Sequence, residues 1–169
     1  MPIANQIELR RTQGKAKPRQ RGFTMVEIAV VLLVVSILMA FAVPQIRSAV
    51  NNYRLRGAVA SATWAIQSVR FQSLMEGYPF QVTFTTGNST TAPSYQIASK
   101  PPGSGTFSNV GSSVPLSGQP VALNQNTVLQ FTPNGVVTAT TGALNNIQFT
   151  YQSLTKTITV SNYGNISIQ

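Results

Sequence analysis

Few side chains in this 169-residue chain can do chemistry: there is no Cys, no His, and the only acids are Glu8, Glu27 and Glu76. That set excludes a thiolate nucleophile, a disulfide framework, a histidine general base and nearly every zinc site. Three scattered carboxylates also make neither a hydrolase pair nor a hard-metal cage. The expectation is a protein that is not an enzyme and holds no cofactor and no metal. The informative carboxylate is Glu27, because of where it falls. It lies inside a run from Phe23 to Val43 whose only other polar residues are Thr24 and Ser36. A carboxylate inside a membrane helix costs about 2.5 to 3.5 kcal/mol, so it calls for a partner or a proton.

The element that positions Glu27 is readable from length. At about 1.5 Å per residue a helix over 23–43 reaches about 31 Å, the hydrocarbon thickness of a bilayer. The net charge is +9, and more than half of the excess sits ahead of this run, in Arg10, Arg11, Lys15, Lys17, Arg19 and Arg21 against Glu8. Charge placed that way points to membrane topology rather than to nucleic acid, with the N-terminus cytoplasmic and the rest outside. A secretory signal peptide is the rival reading, with Ala40-Phe41-Ala42 as its cleavage site; a run this long with a carboxylate inside it argues against that. A permanent anchor is a second rival.

Beyond Pro44, residues 44–76 hold no further proline and keep helical spacing. Val59, Ala62, Ile66 and Val69 form one apolar stripe, while Ala60, Trp64, Phe71 and Met75 form another on a different side. One stripe is explained by the chain's own core, either as a broad buried face or with the second stripe left for a partner. Pro44 is expected to kink the helix rather than end it.

Gly77 and Pro79 close the pattern, and from there to Gln169 only Lys100 and Lys156 are charged. Alternating runs predict strands at 80–85, 95–98, 128–132, 135–139, 147–151, 157–160 and 166–168. Asn134-Gly135 and Tyr163-Gly164-Asn165 supply hairpin turns. Residues 99–120, rich in Gly, Pro and Ser, read as a long surface loop. The fold class is α+β, a long N-terminal helix packed on an antiparallel β domain. The expected organisation is a leader over 1–22, a membrane helix over 23–43, an amphipathic helix over 44–76 and the β domain over 77–169.

The junction Lys17-Pro18-Arg19-Gln20-Arg21-Gly22-Phe23-Thr24-Met25-Val26-Glu27 resembles the processing site of type IV pilins and pseudopilins. The resemblance implies cleavage by prepilin peptidase between Gly22 and Phe23, N-methylation at Phe23, and a filament-register role for Glu27. The new α-amine, with a pKa near ~7.7 to 8, would be mostly cationic. It could pair with Glu27 four residues along the same helix, or with Glu27 of a neighbouring subunit, as the family pattern implies. Pro44 falls where pilin helices commonly carry a break that lets subunits pack; it could equally mark the membrane boundary.

Further segments are similar to the H-type minor pseudopilins, the GspH/FimT group: Val69-Arg70-Phe71-Gln72-Ser73-Leu74, Tyr78 to Phe84, Phe131-Thr132-Pro133-Asn134-Gly135, and Ile158 to Ile168. Two departures stand out. Gln72 replaces the usual acid near Arg70, and Gly164-Asn165-Ile166-Ser167 lacks the arginines of the DNA-binding members. The implied function is a structural minor pseudopilin or minor pilin of the bacterial inner membrane, assembled into a type II secretion pseudopilus or type IV pilus. Its implied partners are prepilin peptidase, other pilins, the inner-membrane assembly platform and the lipid bilayer. A DNA-uptake minor pilin using Arg54, Arg56 and Arg70 is an alternative, disfavoured because phosphate contact needs more basic residues than the last hairpin offers. An anchored or secreted β-domain adhesin is another.

Overall fold

The computed structural model describes residues 22–87, 91–116 and 121–169. The leader expected over 1–22, apart from Gly22, lies outside the described residues. So do 88–90 and 117–120. The chain divides after Phe41 into two units.

A single α-helix, α1, runs Met25–Glu76 and contributes to both units. Thr24 caps it: its hydroxyl accepts the Glu27 N–H at 3.1 Å and its carbonyl accepts the Ile28 N–H at 3.2 Å. A Thr three residues before Glu is the spacing of a capping box, and Glu27 places negative charge in the first turn, where the helix dipole favours it. The helix continues through Pro44. There the missing N–H removes one rung of the i to i−4 ladder, the one that would have reached Ala40.

In the first unit every described residue is exposed, and the most apolar 18-residue window of α1 has a mean hydropathy of 2.9 with none of it buried. Water does not tolerate an apolar surface of that extent on all sides, so the segment requires another medium or partner.

In the second unit α1 is two-sided. Leu55, Ala58, Val59, Ala62, Ala65, Ile66, Val69 and Ser73 are buried. Their three- and four-residue spacing keeps them on one face, including the whole of the stripe expected to meet the core. The sheets supply the other half of that core, chiefly Val82, Phe84, Leu129, Phe131, Ile147, Phe149 and Ile158.

The strands are β1 (Phe80–Thr85), β2 (Ser94–Ser99), β3 (Ser108–Pro115), β4 (Ala122–Leu123), β5 (Thr127–Phe131), β6 (Val137–Thr141), β7 (Ile147–Tyr151), β8 (Leu154–Val160) and β9 (Ile166–Ile168). They form two antiparallel sheets, ordered β3-β2-β1-β5-β6 and β4-β7-β8-β9. Alternation puts Phe80, Val82 and Phe84 of β1 inward, and likewise Ile147 and Phe149 of β7. Backbone bonds join the two sheets, Val137 N–H to the Asn162 carbonyl at 2.8 Å and Val160 N–H to the Leu144 carbonyl at 2.8 Å. The Ser73 hydroxyl, fully buried, ties α1 to the sheet by donating to the Phe131 carbonyl at 3.0 Å.

The loop expected over 99–120 is corrected by β3, which occupies 108–115 and pairs with β2. All eight of its residues are exposed, so no inward-outward pattern marks the strand in the sequence. Both expected hairpin turns form, with Gly135 at φ 80° and Gly164 at φ 76°, a conformation that costs other residues about 1 to 2 kcal/mol.

Candidate functional site

The residues singled out for processing sit at the start of α1. Gly22, Phe23 and Thr24 precede the first helical turn, and Phe23 is 77% exposed. A Cβ placed on Gly22 would meet nothing within 4 Å, and Gly22 is not among the glycines at positive φ. Nothing in the fold requires glycine there. The Gly22–Phe23 peptide is thus open to an external reagent, and the demand for a small residue must come from whatever reads it.

Glu27 is exposed, in the first turn of the helix, with its backbone N–H donating to the Thr24 hydroxyl. Its carboxylate makes no hydrogen bond within the described residues. The four positions separating it from Phe23 follow from chain numbering, so the spacing of motif and helix was legible in advance.

The second apolar stripe remains uncovered. Trp64 is 60%, Phe71 63% and Met75 70% exposed, and Ala60 is exposed with them. Tyr53 and Gly57 extend the same side of the helix toward its middle, both exposed. This face lies opposite the one buried by Ala62, Ile66 and Val69.

The three arginines considered for DNA do not converge. Arg54 donates to the Tyr151 hydroxyl at 2.8 Å and lies 5.9 Å from that ring's centroid. Arg70 donates to the Gly164 carbonyl at 3.2 Å, bridging α1 to the β8–β9 turn. Its Cδ and Nε would be 2.9 Å from any Cβ at position 164, so glycine is what lets the guanidinium approach. The backbone carbonyl thus stands where a carboxylate near Arg70 was missing. Arg56 is exposed and separate. Two of the three cations are therefore engaged in holding the helix to hairpins of the second sheet.

Sequence reasoning did not find a further contact, the Asn51 carboxamide donating to Gln152 Oε1 at 2.8 Å. Gln152 is in the tight turn between β7 and β8, with φ at 54°, the only non-glycine at positive φ among the described residues. The signal that could have revealed it is the two-residue gap Gln152-Ser153 between apolar runs. It was obscured because the run ahead of Thr157 begins as Leu154-Thr155-Lys156, a weak alternation.

Comparison with known families matches residues 17–43 to the prokaryotic N-terminal methylation motif. No match to the chain is found among curated proteins or solved structures. The matched stretch runs from the basic residues before Gly22 to the last residue of the apolar run, and from Gly22 onward it comprises residues whose exposure is described above. That motif implies assembly with other pilins and fits a single-pass inner-membrane protein. The N-terminus of this chain carries the mark of a type IV pilin-like precursor, one that prepilin peptidase processes.

Proposed function

We propose that the chain is a structural minor pseudopilin or minor pilin of the H-type group, built into a type II secretion pseudopilus or type IV pilus. It acts as a subunit and as a substrate of the peptidase, with no chemistry of its own. Cleavage falls between Gly22 and Phe23, methylation on the Phe23 amine, and Glu27 sets register by pairing with the amine of a neighbouring subunit. The leader stays cytoplasmic and the β domain lies on the other side of the inner membrane.

The observation that carries the reading is the methylation motif opening a helix whose apolar surface nothing among the described residues covers. The exposed stripe through Trp64 and Phe71 supports it, since a filament neighbour would bury what the sheets do not. Support for the H-type assignment comes from the order of the resembling segments along 69–168. The engagement of Arg54 and Arg70 within the fold weighs against a DNA-uptake role.

The test is intact mass with N-terminal peptide mapping of the protein from cells that carry a prepilin peptidase. The expected mature chain starts at N-methylated Phe23. A start at Val43 overturns the proposal and makes this an ordinary exported β-domain protein.

A further inference from the structure

Just past the apolar run, α1 and the β7–β8 turn flank an open groove with two lobes that share lining residues, each about 380 Å³. Arg47, Asn51 and Gln152 line both lobes; Ser48 and Ser153 line one, and Arg54 the other. Its polar groups are therefore two guanidinium ions, two hydroxyls and two carboxamides, without a carboxylate. Within the second unit the one acid among the described residues, Glu76, is 29 positions from Arg47 along the helix, about 44 Å.

Arg47 differs from Arg54 and Arg70 in that it makes no hydrogen bond within the described residues. Arg54 spends one of its five N–H donors on Tyr151 and keeps others. Opposite Arg47, the turn is held in a conformation that a non-glycine adopts at a cost. Gln152 stays at φ 54° with its side chain clamped by Asn51. Positive φ at the first residue of a two-residue hairpin is what the turn itself calls for; what marks the position is that a residue with a hydrogen-bonding side chain stands there in place of glycine, at the wall of a cationic groove.

Position along the helix narrows the ligand. Arg47 is one turn beyond Val43, about 6 Å along the axis. The polar layer on each face of a bilayer is about 5 to 8 Å thick. When 23–43 spans the hydrocarbon, Arg47 reaches the depth of the phosphate groups.

We propose that this groove is a site for a phosphate group, a singly or doubly charged phosphate ester oxyanion gripped by Arg47 and oriented by Ser48, Ser153 and the Asn51–Gln152 pair. Guanidinium to phosphate contacts are charge-assisted and two-pronged, and the hydroxyls and carboxamide N–H groups complete the oxygen shell. The source of the phosphate is an anionic phospholipid headgroup or free phosphate. The lipid source rests on the membrane reading of 23–43 made above.

The full chain in neutral detergent is offered equal amounts of phosphatidylglycerol, whose phosphate charge is uncompensated, and phosphatidylcholine, whose phosphate is offset by its own choline cation, and bound lipid is read by native mass spectrometry. The expected preference for phosphatidylglycerol is about fivefold, the effect of one cation at a membrane surface. Arg47→Gln abolishes it. Gln152→Gly, which changes no charge and suits the positive φ, lowers it about twofold through lost hydrogen bonding. Arg56→Gln leaves it intact, because Arg56 is about 20 Å past Val43 and beyond the screening length. Excess inorganic phosphate that displaces the lipid identifies free phosphate as the source; lipid that resists it identifies the headgroup. No preference in the wild-type chain overturns the site. So does an equal loss in Arg47→Gln and Arg56→Gln, or an unchanged preference in Gln152→Gly, either of which would mean general surface charge. Flotation with vesicles of the same two lipids separates the two readings. A chain that binds inorganic phosphate through Arg47 yet fails to float overturns only the membrane span, and one that floats without a phosphate preference overturns only the groove.

Discussion

The two ends of α1 are equally apolar in places and meet opposite fates. Over 25–43 large side chains such as Leu32, Leu38 and Phe41 remain exposed, whereas over 55–73 Leu55, Ile66 and Val69 are sealed against two sheets. The difference is one of pattern. In the first region apolar residues surround the helix, and no single sheet face could cover them. In the second they are gathered on one side, where a sheet can. The lesson is that the β unit can be folded by its own core, while the first region depends on what surrounds it.

The sharpest way to break that contrast acts on the first region alone. Gly22→Val should leave full-length precursor in place of mature chain, read by intact mass, with no shift in thermal unfolding, since a side chain at that position meets nothing. A destabilised chain would mean that Gly22 belongs to the fold.

Next in size is a pair of neighbours on opposite faces. Ile66→Ala removes a fully buried side chain and should cost about 2 to 5 kcal/mol in denaturant unfolding of the β unit. Trp64→Ala, two positions earlier, should fall within about 0.5 kcal/mol of wild type, as exposed substitutions do. Equal losses would show that the second stripe is already covered within one molecule.

Gly164→Ala should cost about 1 to 2 kcal/mol from its positive φ, and it also pushes Arg70 off the turn. Amide exchange at the β8–β9 turn would report it. Rates equal to wild type would mean that the clasp contributes nothing.

The smallest effect is alkaline. Burial raises the Tyr95 phenol above its ordinary value of 10.0, and the hydrogen bond to Glu76 raises Tyr78. Both groups are held in the neutral form by the fold, so their contribution is complete below about pH 10 and lost as pH rises through the elevated values. Unfolding midpoints should therefore decline only above pH 10, in step with phenolate absorbance. A decline that begins well below that would point to some other group.

How much could be read in advance follows from the range of the forces involved. β1, β7 and β9 begin and end where alternation predicts; β1 and β7 each have a buried and a solvated side, and in β9 only Ile166 packs, partly buried, against the core. β8 extends three residues further back, to Leu154, and β6 shifts to 137–141 because Gly135 and Val136 are consumed by the turn. β3 carries no alternation, and β4 is two residues long. The β strands also split into two sheets, a matter of partner choice that face patterns do not encode. At the N-terminus, Gly22, Phe23 and Glu27 were legible because their relation is local. The Arg70–Gly164 and Asn51–Gln152 contacts join residues 94 and 101 positions apart, and only the folded chain brings them together.

β3 also bears on solubility. It is the long outer edge of its sheet, uncharged along its whole length, and such an edge invites a neighbouring molecule to add a strand. Between Tyr95 and Ile97 of β2 the chain of β3 advances from Val114 to Val110, a bulge that holds Gly111 at φ 75° with the Gln96 side chain on its carbonyl. Pro115 removes one more donor at the end. An incoming strand therefore finds the repeat of donors and acceptors interrupted midway. Over 77–169, where Lys100 and Lys156 are the only charged side chains, backbone geometry takes the anti-aggregation role that charge repulsion has elsewhere.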